Sequence, residues 1–514
     1  MSAPREQGRM NWTIDDGAIH EGTVNEGSLK ALTNDASAMA GSLRLPVGRA
    51  VPIMVMMTLA MAACGGGGGY GTEAADPGAS DTDAAYMGES DATPSTDTIV
   101  TASSDDTVNA QGFELPKPNL ACTSKTAPGA VKTTMVTPDS PVRVPAHFMG
   151  IHRGLQTPAW MPRAYSEIPA PTYRYGIVRN LRMEVDGLEG RGLWLNIETK
   201  PGVYDWRYVD KWIQANAGHP VLWTIYGVPT FYQKYPGESS RWPSWPGIAS
   251  PPSDAGHAAL KRFVQALKAR YGSQLAAVEV WNEPTLPWTA GITSYDDRWT
   301  PAWGRANGQT HAPFFSGSAS DLANIAYTLT SANIGVPILG AGFVDLWGNY
   351  ATTVTRFLNA PVTLPGGWGK GKDHIQAFSS HFYDYSFNPE KLIEHIDGYQ
   401  RKLEAEGLGH LPHWGTESGA EMGGVFSHND SRAPINVQRW VLIGAAKRLQ
   451  SIIFFGHFSG EEPTTQLGGP IDNPSVIATL DEAFEVGGKT ICNAAVLTDG
   501  RVWVSTAEGR DFLK

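Results

Sequence analysis

Cysteine is scarce in this 514-residue chain, which holds three. Cys64, Cys122 and Cys492 allow at most one disulfide beside a single thiol. No His-x-x-x-His pair or other cluster at metal-ligand spacing occurs, so a metal hydrolase has no footing and neither metal nor cofactor is expected. Positive charge is short as well: 40 Lys and Arg stand against 51 Asp and Glu, for a formal net charge of −11. Without a basic excess to neutralise phosphates, nucleic acid is excluded as a partner. The apolar run at residues 50–63 is too short to span a bilayer as a mature helix. What the chain does have is 41% hydrophobic residues, enough to bury a sizeable core, together with 17 Trp and 17 Tyr. Flat aromatic faces stack well on the C–H surfaces of sugar rings, although most buried tryptophans simply fill cores.

The N-terminal region reads as an address. Arg44 and Arg49 precede the apolar run, and small residues close it, as in a secretory signal. Met39-Ala-Gly-Ser-Leu-Arg reads as a more natural start than Met1. The string Met61-Ala62-Ala63-Cys64 resembles the lipobox of bacterial lipoproteins, with Met61 where leucine is usual. That resemblance implies a lipidated Cys64, a membrane reached through the lipid anchor, and a place in the cell envelope, anchored at the outer membrane or else secreted or periplasmic. An ordinary secretory signal followed by a free cysteine is the plainer alternative. Cys122 and Cys492 remain; an oxidising compartment would let them pair, and two unpaired thiols are the other reading.

Residues 1–64 are therefore taken as an extension and signal. Residues 65–112, rich in Gly, Asp, Ala, Ser and Thr, carry too few large apolar side chains to offset the entropy of ordering and read as a disordered tether. From about residue 145 short apolar runs alternate with helical segments. Candidate strands fall at 147–152, 176–183, 220–226, 276–281, 337–342, 375–382, 413–417 and 451–456. Runs apolar on both faces and separated by helices are what a buried parallel sheet requires. No Gly-rich phosphate turn follows the first strand, which disfavours an open doubly wound sheet. The fold class expected is α/β, a (β/α)₈ TIM barrel over 113–460 including a lead-in segment, with a small β-rich appendage over 461–514. In the appendage, Asp499-Gly500 marks a hairpin between two strand-like runs.

The sharpest chemical signal is Glu279-Val280-Trp281-Asn282-Glu283-Pro284 at the end of the fourth candidate strand. Catalytic groups of barrels sit at the carboxyl ends of strands. This string resembles the acid/base motif of clan A glycoside hydrolases, which place Asn-Glu after strand four. The resemblance implies that Glu283 is the general acid/base and that Asn282 contacts the sugar hydroxyl beside the anomeric carbon. Thr416-Glu417-Ser418-Gly419 on strand seven is similar to the clan's nucleophile strand and implies that Glu417 is the nucleophile. Retention requires one charged and one protonated carboxyl about 5–5.5 Å apart, so both must converge at the barrel mouth. Strand six offers His381 and Tyr383, which alternation sends to one side and Phe382 to the other. Many clan members place a His and a Tyr here, the Tyr holding the nucleophile ionised. The resemblance further implies an arginine near the end of strand two, Arg182 first and Arg179 as the alternative. His152 is a candidate lining residue after strand one. Strand eight departs from the clan, reading Phe454-Phe455-Gly456-His457-Phe458 where a Trp is common, so His457 or Phe458 is the candidate substitute. Trp242, Trp245, Trp288, Trp299 and Trp303 fall in loops after strands three and four, either as sugar subsites or as loop packing.

The resemblance covers roughly residues 145–460 and is nearest in flavour to family 39 and related extracellular enzymes. It implies a retaining glycoside hydrolase acting on a β-linked poly- or oligosaccharide without cofactor. The alternatives weighed are a carbohydrate-binding envelope lipoprotein with little or no turnover and a structural envelope protein without a sugar site.

Overall fold

Short runs that are apolar on both faces build a parallel sheet, and polar-capped amphipathic helices join them. The computed structural model describes residues 121–151, 176–181, 183–185, 188–238, 247–284, 294–306, 314–344, 350–383, 388–419, 433–454, 464–465, 469–470 and 485–514. Cys64, the signal and the tether lie outside the described residues, as do Arg182, His152, His457, Phe458, Trp242, Trp245 and Trp288.

The chain enters on β1 (Val131–Val136) and β2 (Val142–Arg143). The main sheet follows with β3 (Met149–Ile151), β4 (Val178–Arg179), β5 (Val221–Thr224), β6 (Leu275–Glu279), β7 (Ile338–Leu339), β8 (Phe343–Val344), β9 (Phe378–Tyr383), β10 (His413–Gly419) and β11 (Leu449–Phe454). It leaves on β12 (Thr490–Leu497), β13 (Val502–Thr506) and β14 (Asp511–Leu513).

Strands β3 to β7 pair in parallel in chain order, as do β8 to β11, and β11 pairs back onto β3 through Ile452 and Met149. A parallel bridge joins Leu339 of β7 to Ala377, the residue before β9. The expected strand at 337–342 is thus shorter: β7 ends at Leu339, Gly342 takes φ +52°, and β8 begins at Phe343. Every side chain of β5, β9 and β11 is buried, which accounts for their uncharged, largely apolar composition.

Helices α1 (Arg207–Ala215), α2 (Asp254–Tyr271), α3 (Ala319–Ser331), α4 (Tyr350–Asn359), α5 (Pro389–Ala405) and α6 (Ala433–Ala446) alternate with these strands. Ser253 caps α2 by accepting from Gly256 N, and Leu260, Phe263, Val264 and Leu267 bury its inner stripe completely. Ser318 and Asp321 form a reciprocal capping box on α3. Asn388 caps α5, with Pro389 at the first turn, where its missing N–H costs nothing.

A second, antiparallel sheet joins the two ends of the described chain: β12 pairs with β1, β2 and β13, and β13 with β14. Cys122 and Cys492 are disulfide-bonded across 370 residues, with Cα atoms 5.3 Å apart. A crosslink over so long a loop typically contributes about 2–5 kcal/mol, mostly by restricting the unfolded chain.

Candidate active site

Two buried charges on the strands either side of β5 define the site. Arg179 ends β4 and Glu279 ends β6, and each is completely buried in an otherwise apolar strand. A buried charge costs several kcal/mol unless it is paired, and here Arg179 Nη2 lies 2.6 Å from Glu279 Oε2. Arg179 Nε also donates to the same oxygen at 3.1 Å and to Thr224 Oγ1 at 2.9 Å. Thr224 Oγ1 in turn donates to Glu279 Oε2 at 2.7 Å. The remaining reach of the guanidinium goes to the two residue types expected from the sequence: Nη1 to Glu417 Oε2 at 2.8 Å and Nη2 to Asn282 Oδ1 at 2.9 Å.

Of the two arginines expected near the end of this strand, Arg179 stands beside Glu417, and Arg182 lies outside the described residues. Strand β4 ends at Arg179, and the chain turns at once, with Met183 N donating to Asn180 O at 2.8 Å.

Beyond β6 the chain carries Val280 and Trp281, both fully buried, and delivers Asn282 and Glu283. Trp281 Nε1 donates to Phe314 O at 2.9 Å, which anchors the turn. Glu283 has φ +44°, a left-handed conformation rarely taken by a residue with a side chain, and its N–H donates to Gly342 O at 3.2 Å. The strain is held in place by the packed Trp281 and by the β8 side of the sheet.

On β9, His381 and Tyr383 face the site as alternation requires, with His381 in register with Glu417 of β10. His381 Nδ1 lies 2.8 Å from Glu283 Oε1, and Tyr383 donates its hydroxyl to Glu417 Oε1. One ligand-type atom from each of Glu283, His381 and Glu417 falls within a 4.8 Å cluster, and all three residues are buried. Such a trio could in principle hold a cation. Both Glu417 oxygens, however, already accept from Arg179 and Tyr383, so a metal would compete with a fixed guanidinium for the same carboxylate.

The electrostatics divide the carboxyls. Burial opposes the charge on Glu279, but Arg179 foremost, with hydrogen bonds from Thr224 and Thr416, holds its carboxyl below the usual range. Burial pushes Glu417 up, and the nearby Glu283 adds to this, while Arg179 and the Tyr383 hydrogen bond pull it down. Burial lowers His381 to about 4, so its imidazole is neutral near pH 7. Arg179 is held charged against its burial by Glu279 first and then by Glu417.

The structure therefore brings together Asn282, Glu283, His381, Tyr383 and Glu417. Trp299 is buried against Ala249 with Trp303 partly covering the pair, so Trp299 is packing and not an open sugar platform. Sequence reading passed over Glu279, Thr224 and Thr416. A signal for Glu279 was present: a carboxylate inside an apolar strand demands a buried cation, and Arg179 is the other charge so placed.

No protein-family model and no curated protein matches this chain. Among solved structures, it is similar to a GH39 β-xylosidase from Caulobacter crescentus (16% identity, TM-score 0.42, covering 73% of this chain and 80% of that one). It is also similar to a glucosidase from Croceicoccus marinus (12%, TM-score 0.43, covering 74% and 78%). A third is the GH39 enzyme from Xanthomonas axonopodis pv. citri (17%, TM-score 0.42, covering 73% and 74%).

Proposed function

We propose that this protein is a retaining glycoside hydrolase built on a (β/α)₈ barrel, with Glu417 as nucleophile and Glu283 as general acid/base. The observation that carries the reading is the arrangement of the two carboxyls. One oxygen of each lies within 4.8 Å of an oxygen of the other, and one carboxyl is bonded to a cation and a phenol, the other to a neutral imidazole. Retaining enzymes need carboxyls about 5–5.5 Å apart, whereas inverting enzymes leave about 6.5–9.5 Å for a water. Two buried carboxyls so close bear one negative charge between them at neutral pH. Arg179 draws that charge to Glu417, and the proton stays on Glu283.

From this state Glu283 gives its proton to the leaving glycosidic oxygen as Glu417 attacks the anomeric carbon and the C–O bond breaks. Glu283, now charged, takes a proton from water, and the water displaces Glu417 from the covalent intermediate. Two inversions return the original configuration. Asn282, oriented by Arg179, is the residue placed to meet the hydroxyl next to the reacting carbon. The bond class is β-linked poly- or oligosaccharide.

Hydrolysis of a panel of β-linked polysaccharides and aryl glycosides by the full-length protein tests this, with the first-formed anomer read by proton NMR. The β-anomer should appear first; initial release of the α-anomer would remove the double-displacement mechanism. Glu283→Gln should lose ~10²–10⁴-fold in turnover on substrates with poor leaving groups, the usual worth of a general acid. It should lose far less on activated aryl glycosides, and equal losses on both would take the acid role from Glu283.

The reading places the enzyme outside the cytoplasm, tethered through a lipid on Cys64. The Cys122–Cys492 disulfide supports an oxidising compartment. Cys64→Ala is expected to move the protein from the membrane fraction to the soluble one; unchanged membrane association would sink the lipid anchor.

A further inference from the structure

Glu279 takes no part in the double displacement, yet its carboxylate joins three other strands. It accepts from Arg179 at the end of β4, from Thr224 on β5 and from Thr416 on β10. Arg179 and Thr416 are also the groups that flank Glu417. Arg179 Nη1 donates to Glu417 Oε2 at 2.8 Å, and Thr416 precedes Glu417 in the chain.

Strand β10 is irregular at this point. Ser380 pairs with Gly415 and His381 with Glu417, so Thr416 is an extra residue against β9. On the other side Gly415 and Ser418 pair with Ile452 and Phe454, so three steps along β10 match two along β11. Strict alternation would send Thr416 and Glu417 to opposite faces. The bulge instead lets both side chains reach one buried cluster, Thr416 at Glu279 and Glu417 at Arg179.

The charges add a second constraint. Arg179 turns Nε and Nη2 to Glu279 Oε2, at 3.1 and 2.6 Å, and Nη1 to Glu417. One unit of positive charge thus faces two carboxylates. We infer that Glu279 is a positioning residue for the nucleophile: it pins the Thr416 bulge that turns Glu417 into the site, and it leaves Glu417 only part of the charge of Arg179. An undivided guanidinium would hold Glu417 ionised more firmly but make its oxygen a poorer nucleophile. The divided one keeps the carboxylate basic enough to attack. The charged and titratable groups about Glu417 are Arg179 from β4, Glu279 and Glu283 on and after β6, and His381 and Tyr383 from β9; β11 presents none. His381 is neutral near pH 7 and Tyr383 donates a hydrogen bond, so the balance of charge rests on Arg179, Glu279 and Glu283.

The catalytic consequence rests on the glycosidase reading, but the sharing of charge can be measured without substrate. Full-length protein carrying ¹³C-carboxyl glutamate is titrated by NMR from pH 8 to 4.5, with Glu417 assigned by the signal lost in Glu417→Gln. Glu279→Gln keeps the shape of the side chain and removes its charge. The titration of Glu417 should then move down by about 1–2 pH units, or below the range. In the active enzyme the acid limb of the kcat/KM profile should move the same way. Glu279→Asp draws the carboxylate back by one methylene and should give a smaller shift of the same sign. Thr416→Val keeps every charge but frees the bulge, so kcat should fall by up to about 10²-fold with KM and the acid limb in place. An unmoved or raised Glu417 titration in whichever Glu279 variant folds overturns the inference, as does a parent in which Glu417 titrates below about 4.3. Unchanged kcat in folded Thr416→Val overturns it equally. If the parent hydrolyses nothing while Glu417 moves down in Glu279→Gln, the glycosidase reading fails and the sharing of charge stands.

Discussion

Replacing Glu417 with alanine is expected to lower hydrolysis by ~10⁴-fold or more, since removal of a catalytic nucleophile leaves only binding and residual polar stabilisation. The structure makes this variant informative in a second way. Arg179 would lose one of its two carboxylate partners but keep Glu279, at 2.6 Å, together with Thr224 and Asn282. The guanidinium therefore stays paired, and the fold should survive a change that removes the chemistry. A small anion such as azide fits the space vacated and can attack the anomeric carbon directly. The product would be a glycosyl azide of inverted configuration, because one displacement replaces two. Azide rescue with retained configuration, or full activity without Glu417, would remove it from the nucleophile role. In the parent, the acid limb of the rate profile should lie above the ordinary glutamate value of about 4.3. Burial raises Glu417, and only its ionised form attacks. An acid limb below pH 4 would contradict that ordering.

Stability should fall steeply as the pH drops from about 6.5 to 4. Burial lowers His257 to about 4, His381 to about 4 and His413 to about 3. His257 Nδ1 lies 2.8 Å from Thr328 Oγ1, and His413 sits against the rings of Phe378, Phe382 and Tyr399 with Nε2 2.6 Å from Ser380 Oγ. In the unfolded chain each histidine titrates near 6.5. Between the two values the unfolded state binds the additional protons, so stability is fully present above about 6.5 and is lost as the pH falls. Each histidine contributes about 1.4 kcal/mol per pH unit in that window, so three give about 4 kcal/mol per unit. Glu417 works in the opposite sense, because its raised folded value favours the native state as it takes up a proton, but it offsets one proton at most. Against a typical stability of about 5–15 kcal/mol, the remaining slope unfolds the protein near pH 4. Urea unfolding followed by circular dichroism from pH 7 to 4.5 measures this directly. A flat midpoint over that range would show that the histidines are not held neutral, and His257→Asn should remove one proton's share of the slope.

The parallel sheet was legible because its strands are apolar on both faces, as in β5 and β11, and because capped helices such as α2 and α5 separate them. Strand ends were less so. Period and composition carry β4 on to Met183, yet the strand spans Val178–Arg179 and Met183 N turns back to Asn180 O. Likewise, the run at 337–342 reads as continuous, but its strand ends at Leu339 and the next begins at Phe343. Both ends bear on the site, since Arg179 at the end of β4 reaches Glu417 and the carbonyl oxygen of Gly342 accepts from Glu283 N.

By itself the sequence determined the residue types and their order: Asn282-Glu283 after one apolar run, His381 and Tyr383 alternating on another, Glu417 on a third. Local pattern is enough for that, because strand periodicity assigns faces without reference to partners. Only the tertiary structure decided that Arg179 and Glu279 form the charged base of the site, that Cys122 meets Cys492, and that Trp299 is packing. Those outcomes depend on contacts between residues far apart in the chain, where burial forces each charge to find a counter-ion and close packing allows only one arrangement of them.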